Sequence, residues 1–293
     1  MKIGSVNAQV INEIESMHVP CEMLIEVADG QTLERSEGWS VPEYYDRATK
    51  QLRLSVHSWL LDTGRHKILV DPCVGNFKPR GEAQAFDMLD TDFLGRMEKA
   101  GARPEDIDYV FCTHLHVDHC GWNTRLVDGR WVPTFPNAKY LFSRREEEYW
   151  KRHDTAEAAG EDFLMKANVG VFSDSVRPVI EAGQAVLLDE NPHTIAGCLS
   201  IEPGYGHTIG HLIGILKSGS DGMLFAGDAL HHQLQIYHPD WNTHSSYLPD
   251  EARKTRHQLL QRCVNEGLWL AAAHFMPPHM VKVVREAGNY RIA

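Results

Sequence analysis

The segment Thr113-His114-Leu115-His116-Val117-Asp118-His119 decides how this chain is interpreted. It places three imidazoles and one carboxylate within six positions, directly after an apolar stretch, 107–112, that is predicted to be a strand. Imidazole and carboxylate ligands suit zinc, iron, manganese or cobalt. A strand would direct His114 and His116 to one side, and the following turn could bring Asp118 and His119 to a second ion. Burying these groups together without a cation would be costly.

Further metal ligands are expected at the ends of other strands. His207 lies in a glycine-rich turn, 204–211, whose glycines allow tight bends, although a single loop histidine is a weak signal. Asp228 directly follows the predicted strand 223–226, a position that suits a carboxylate bridging two cations. His274 follows the predicted strand 268–273 in the same way.

The amino-acid composition limits the kinds of molecule that the protein is expected to bind. The 293 residues include 40 acidic and 29 basic side chains, a net charge of −11 that repels phosphate backbones, so no nucleic acid partner is expected. The sequence contains no apolar run of ~18 residues that would span a membrane and no secretory signal pattern. We therefore expect no membrane partner and a cytoplasmic location. The six scattered cysteines are expected to be reduced.

The order of predicted elements is strands, helices, strands, helix, strand, without a flexible linker. Sheets between helical layers in a single domain, 1–293, fit this order. Pro249–Glu266 is predicted to be an amphipathic helix. The charged run 144–150 is predicted to be a solvated helix face, and His279, after two prolines, is expected at the surface.

The pattern His-x-His-x-Asp-His at 114–119, followed in order by His207, Asp228 and His274, resembles the metallo-β-lactamase-like hydrolases. The nearest likeness is to the branch of the acyl-homoserine lactonases and methyl parathion hydrolase, over residues 52–274. The resemblance implies an α+β fold, a four-layer αββα sandwich, with two divalent metal ions, zinc or else iron, manganese or cobalt. It also implies the ligand sets: His114, His116 and His207 for one metal, Asp118, His119 and His274 for the other, and Asp228 as the bridge.

The implied reaction is hydrolysis by a hydroxide shared between the two metals, with Asp118 or Asp228 carrying the proton. Lactonases of this family commonly have a tyrosine three residues after the bridging aspartate, where this chain has His231. His231 would donate a hydrogen bond or a proton to the substrate, or else only support the metal ligands. Asp71, at a strand end, would orient a ligand histidine or cap its strand.

The expected substrate is a lactone or other apolar carboxylic ester. A phosphotriester or aryl ester is the alternative, and a mononuclear-iron dioxygenase on the same fold is an alternative of another class. Relatives imply a homodimer. Five aromatic residues would either wall the substrate pocket or belong to the core. They are Phe77, Trp122, Phe163, Tyr237 and Trp241.

Overall fold

The structure is a computed structural model that describes residues 1–26, 43–81, 83–160 and 163–293. Its strands are numbered here in chain order. The first ten are β1 Lys2–Ile3, β2 Val6–Pro20, β3 Tyr45–Asp46, β4 Gln51–Asp62, β5 Lys67–Val70, β6 Tyr109–Phe111, β7 Thr124–Val127, β8 Arg130–Pro133, β9 Lys139–Ser143 and β10 Ala185–Leu188. The remaining strands are β11 His193–Ile195, β12 Leu199–Pro203, β13 Leu212–Ser218, β14 Asp221–Phe225, β15 Trp269–Ala271, β16 Met280–Glu286 and β17 Asn289–Ile292.

These strands form two large sheets and a small ribbon. The first sheet has the order β1-β2-β4-β5-β6-β9-β10, with β3 paired to β4, and β5, β6, β9 and β10 run parallel. The second sheet has the order β11-β12-β13-β14-β15-β16-β17. The ribbon is the antiparallel pair β7-β8. Because β5 and β6 run parallel, and β14 and β15 also run parallel, the loops after the two strands of each pair lie at the same edge of their sheet.

The helices are α1 Cys21–Leu24, α2 Phe93–Lys99, α3 Arg144–His153, α4 Ala156–Ala159, α5 Phe163–Ala167, α6 Arg177–Glu181, α7 Leu234–Tyr237 and α8 Pro249–Glu266. The predicted helix Pro249–Glu266 has these bounds in the structure, and Gly267 ends it in a left-handed conformation. None of the helices in the described ranges has the length and apolar character needed to cross a bilayer.

Alternation of side chains along the strands separates three cores. On β4, Trp59 and Leu61 face a core between the two sheets, whereas Leu60 faces an outer core against α2, α3 and α6. On β13, Leu216 points to the central core and Ile215 to a second outer core, where α8 packs. The layers are therefore helix, sheet, sheet, helix, and the predicted αββα sandwich is confirmed. The single-domain assignment of 1–293 stays a prediction.

Candidate metal centre

The predicted histidine segment forms the loop that follows β6, and Asp71 holds it from the end of the neighbouring strand β5. The Asp71 carboxylate accepts hydrogen bonds from the Thr113 backbone N–H at 2.7 Å and from the Thr113 hydroxyl at 2.8 Å. Its Oδ2 also lies 3.2 Å from Nδ1 of His119. This contact favours the interpretation in which Asp71 orients a ligand histidine, because it leaves Nε2 of the ring facing the cluster.

Three other loops come from the second sheet. His207 lies between β12 and β13, Asp228 follows β14, and His274 follows β15. Gly227, with φ of +50°, turns the chain into Asp228, and a Cβ there would lie 2.6 Å from Nε2 of His211. Only glycine fits this approach, so the tight packing beneath the loop fixes the position of the carboxylate.

The first group of side chains brings together His114, His116, His207 and Asp228, whose ligand atoms all lie within 4.8 Å of one another. Nδ1 of His116 is 3.0 Å from Nε2 of His114 and 3.0 Å from Nε2 of His207. Oδ2 of Asp228 is 3.4 Å from Nε2 of His207 and 3.8 Å from Nε2 of His114. These four side chains surround one point.

The second group consists of Asp118, His119 and His274, again with ligand atoms within 4.8 Å of one another. The Asp118 oxygens lie 3.6 Å from Nε2 of His119 and 3.6 Å from Nε2 of His274. Asp228 adjoins this group too, with Oδ1 3.2 Å from Nε2 of His274 and Oδ2 3.4 Å from Nε2 of His119. The structure thus brings all seven predicted side chains together, with Asp228 between the two groups, while their role as metal ligands stays a prediction.

The spacing of these atoms fits divalent cations. Four ligands at 2.0–2.1 Å in a tetrahedron lie about 3.3 Å from each other, close to the 3.0–3.8 Å found in the first group. In addition, Nε2 of His119 and Oδ1 of Asp228 are buried and make no hydrogen bond to any described residue. Buried polar atoms without partners are rare unless another species satisfies them, and a cation would do so here.

The pKa shifts divide the histidines of the cluster into two sets. Burial, together with the charge on neighbouring His119, lowers the pKa of His116 to about 3. Burial raises the pKa of Asp228, but the imidazoles of His231 and His119 outweigh it and hold that pKa well below its usual range. Burial lowers the pKa of His119 and of His274, but the carboxylate of Asp228 and its neighbours outweigh it and raise both pKa values, that of His119 well above its usual range. A cation binding there would displace those protons, because a histidine must be deprotonated to be a metal ligand.

Glu146 contradicts the prediction that the run 144–150 is a solvated helix face. Its side chain is fully buried. Oε2 accepts from the backbone N–H of Leu115 at 3.2 Å and from the indole of Trp150 at 3.0 Å, while Oε1 accepts from the N–H of Gly210 at 2.9 Å. Leu115 lies between two predicted ligands, and Gly210 lies three residues after His207. The carboxylate faces inward because these backbone donors, distant in sequence, need an acceptor.

His231, the predicted catalytic residue, lies at the edge of the cluster. Its Nε2 is 3.1 Å from Oδ2 of Asp228 and 3.2 Å from the hydroxyl of Ser245. Neighbouring His232 points away, donating to the carbonyl of Tyr44 and accepting from the N–H of Leu234. His231 is therefore placed to reach a substrate, and His232 is a packing residue.

Sequence reasoning missed the support behind His274. The Nδ1 of His274 donates to the backbone carbonyl of Ser55 at 2.9 Å, and the Ser55 hydroxyl is 2.9 Å from Nδ1 of His57. His279, expected at the surface, is buried and packs against His57 with ring centroids 4.3 Å apart. The expectation was wrong because β16 follows immediately and carries the residue inward. The proximity of Ser55 and His57 to the centre could not be found from β4 alone.

Within the described part of the chain, two chambers open onto the cluster. The large chamber, of about 680 Å3, reaches Asp118, Asp228, His231 and His274. The aromatic chamber, of about 460 Å3, reaches the cluster only through His116 and His207 among the predicted ligands. The walls that the two chambers share are formed by His116, Asn168, His207, His244 and Ser245.

Four of the five aromatic residues singled out by sequence do not line these chambers. Trp122, Tyr237 and Trp241 pack in or against hydrophobic cores, and Phe77 is 45% exposed. The side chain of Phe163 lies outside the described residues. Aromatic walls are supplied instead by four other residues. They are Phe86 in the large chamber and Tyr149, Trp150 and Tyr247 in the aromatic chamber.

A buried cluster of imidazoles and carboxylates at the edge of an αββα sandwich defines a metal-dependent hydrolase. The chain belongs to the metallo-beta-lactamase superfamily, whose sequence profile matches residues 52–262. The predicted family is therefore confirmed. His274 lies beyond the matched segment, and the fold returns it to the other ligands.

Solved structures share this fold across the whole chain. The hydrolase AbOPH of the beta-lactamase superfamily has a TM-score of 0.81 and 22% identity, covering 100% of this chain and 95% of that one. The dizinc quorum-quenching lactonase AidC has a TM-score of 0.76 and 20% identity, covering 100% and 95%. A probable metal-dependent hydrolase from Staphylococcus aureus has a TM-score of 0.76 and 18% identity, covering 100% and 99%. A comparison with curated proteins finds no match.

Proposed function

We propose that this protein is a dinuclear metal-dependent hydrolase of a lactone or other carboxylic ester. The observation that carries the proposal is the pair of adjacent ligand groups with the Asp228 carboxylate between them, one oxygen 3.2 Å from His274 and the other 3.4 Å from His207. A single-iron dioxygenase would leave the group Asp118, His119 and His274 without a cation. The likeness of fold to a dizinc lactonase is a second support.

The residues that would hold the metals are those of the two groups, with zinc as the proposed metal. When bound, two divalent cations would supply Lewis acidity and make water nucleophilic near neutral pH. The chain need not provide a serine or cysteine nucleophile.

The chain's own residues would position the substrate and move the proton. The Asp118 side chain is 13% exposed and lines the large chamber, whereas that of Asp228 is 5% exposed. Asp118 therefore has the better access to accept a proton from water and pass it to the leaving oxygen. His231, which also lines the large chamber, would donate a hydrogen bond from Nε2 to the substrate oxygen.

The lining of the large chamber supports an apolar substrate. Met17, Val19, Leu24 and Leu54 contribute aliphatic or thioether surface next to the metal-ligand cluster. An apolar acyl group would therefore gain from burial there. A phosphotriester or aryl ester is the second candidate, favoured by the aromatic residues of the neighbouring chamber. We further propose that 1–293 is one domain that acts as a cytoplasmic homodimer, and the homodimer rests on the family resemblance alone.

Metal analysis combined with a substrate panel tests the proposal. The purified protein should contain two metal ions per chain and should hydrolyse lactones or other carboxylic esters, alkyl or aryl, faster than phosphotriesters or β-lactams. Chelation should abolish turnover, and added zinc should restore it. One metal per chain, or no hydrolysis of any ester by the two-metal protein, would refute it.

Replacement of the central carboxylate is the matching mutational test. Asp228→Ala should lose turnover and bind less metal, because its oxygens contact both ligand groups. Asp90→Ala removes an exposed carboxylate and should leave both properties unchanged. Full activity in Asp228→Ala would contradict the bridging assignment.

A further inference from the structure

The aromatic chamber has a wall of closely packed rings beside the predicted metal ligands. Tyr149 stacks on His153 with ring centroids 4.1 Å apart and meets Tyr247 edge to face at 5.5 Å. Trp150 meets the ring of His116 edge to face at 5.4 Å. A flat ring entering this chamber would find aromatic faces and edges beside His116, one of the predicted metal ligands.

This wall is fixed to the ligand loops. The indole of Trp150 donates to Glu146, the carboxylate that also holds Gly210. The backbone N–H of Tyr247 donates to the carbonyl of His207 at 2.9 Å. The indole of Trp150 and the backbone of Tyr247 are therefore tied directly to the loops that carry the predicted ligands.

The part of the aromatic chamber lined by described residues has no formally charged side chain. Among the described residues that line it, none is Lys, Arg, Asp or Glu, and the polar groups are hydroxyls, an amide and imidazoles. The large chamber differs because its walls away from the cluster are mainly aliphatic. The two chambers therefore suit the two halves of one neutral substrate, one flat and aromatic and the other aliphatic.

We propose that the substrate is an aryl ester, with its aromatic alcohol half in the aromatic chamber and its aliphatic acyl half in the large chamber. This inference rests on the proposed ester hydrolysis. In that reaction water adds its oxygen to the acyl carbon, the bond from that carbon to the aryl oxygen breaks, and the aryl oxygen receives a proton. The products are a carboxylate and a phenol, the second proton of the water is released to solvent, and no oxidant or reductant is consumed.

The size of the expected preference follows from the ring contacts. Each well-oriented aromatic pair contributes about 0.5–1.5 kcal/mol beyond its buried area. Removing one ring should therefore lower binding of an aromatic group by about 2- to 12-fold relative to a saturated group of similar shape. Tyr247 is the ring to remove, because it is 54% exposed and its loss endangers folding least.

The kinetic test compares phenyl butyrate with cyclohexyl butyrate, which share an acyl group. In Tyr247→Leu, kcat/KM for phenyl butyrate should fall about 2- to 12-fold more than kcat/KM for cyclohexyl butyrate. Tyr247→Phe keeps the ring and should retain the wild-type ratio. Phe77→Leu removes an exposed ring outside both chambers and should also retain it. An unchanged ratio in both Tyr247→Leu and Tyr149→Leu would overturn the proposal.

A binding test separates this inference from the proposed function. Calorimetry on the metal-loaded protein should show 2-naphthol binding more tightly than decahydro-2-naphthol, with the difference reduced in Tyr247→Leu. If no ester is hydrolysed but this difference is present, the proposed function fails and the aromatic chamber stands. If esters are hydrolysed but the two alcohols bind equally, the chamber assignment fails alone.

Discussion

Glu146→Gln offers a direct test of how the ligand loops are held together. One carboxylate oxygen accepts from Leu115 and Trp150, and the other accepts from Gly210. A glutamine carbonyl can replace only one of these oxygens, and the side with two donors is the better place for it. The amide NH2 then faces the N–H of Gly210, which loses its acceptor.

The magnitude follows from that lost acceptor. A buried N–H left without a partner costs about 1–3 kcal/mol, and because hydrogen bonds to an ionised acceptor are the stronger ones, we expect about 2–3 kcal/mol. Gly210 lies three residues from His207, so part of the distortion reaches a ligand ring. If about 1.4 kcal/mol of this free-energy cost weakens metal binding, the metal affinity falls about tenfold.

Two measurements check this prediction. Urea unfolding of the metal-free protein gives the change in stability, and competition with a chelator gives the change in metal affinity. Glu148→Gln, on the exposed part of the same helix, is the matched control and should change neither. The reasoning is refuted if Glu146→Gln unfolds at the wild-type urea concentration and keeps the wild-type metal affinity.

Three further changes test other parts of the centre. Asp71→Asn should weaken metal binding about 10- to 100-fold, measured by chelator competition, because His119 loses the carboxylate beside Nδ1; unchanged affinity would mean that Asp71 only caps its strand. His231→Ala should lower kcat by about 10²- to 10³-fold with both metals retained, and metal loss in elemental analysis would instead make it part of the coordination. Burial lowers the pKa of His232 to about 4 from the ordinary 6.5. As the pH falls, His232 is therefore protonated in the unfolded chain before it is protonated in the folded chain. Stability should then fall as pH drops from 6.5 towards 4, by roughly 2 kcal/mol at pH 5, and His232→Gln should flatten that part of the urea-unfolding pH profile.

The parts of the fold and site that sequence predicts are those with a local signal. His274 and Asp228 were found because each directly follows an apolar strand, and α8 because proline begins it and glycine follows it. The long strand β2 was missed because register shifts between Asn12 and Ile14, and between Ile14 and Met17, interrupt its alternation. These bulges hide the period on which strand prediction depends.

Glu146 shows why the rest could not be predicted. Ser143-Arg144-Arg145-Glu146 has the spacing of a helix capping box, and the Ser143 hydroxyl does accept from Arg145. A role in capping the start of the helix therefore already accounted for Glu146 without any distant partner. The partners that bury the carboxylate, Leu115 and Gly210, lie 31 and 64 residues away, and only the folded chain shows them.

The way the two ligand groups draw on both sheets has a consequence for folding. Nδ1 of His116, from the first sheet, and Nε2 of His207, from the second, are separated by 91 residues in the chain. A covalent link across a loop of that length would raise the free energy of the unfolded chain by about 4–5 kcal/mol. Ions held by both sheets would act in the same direction. Removing the ions would then lower the free energy of unfolding as well as abolish turnover.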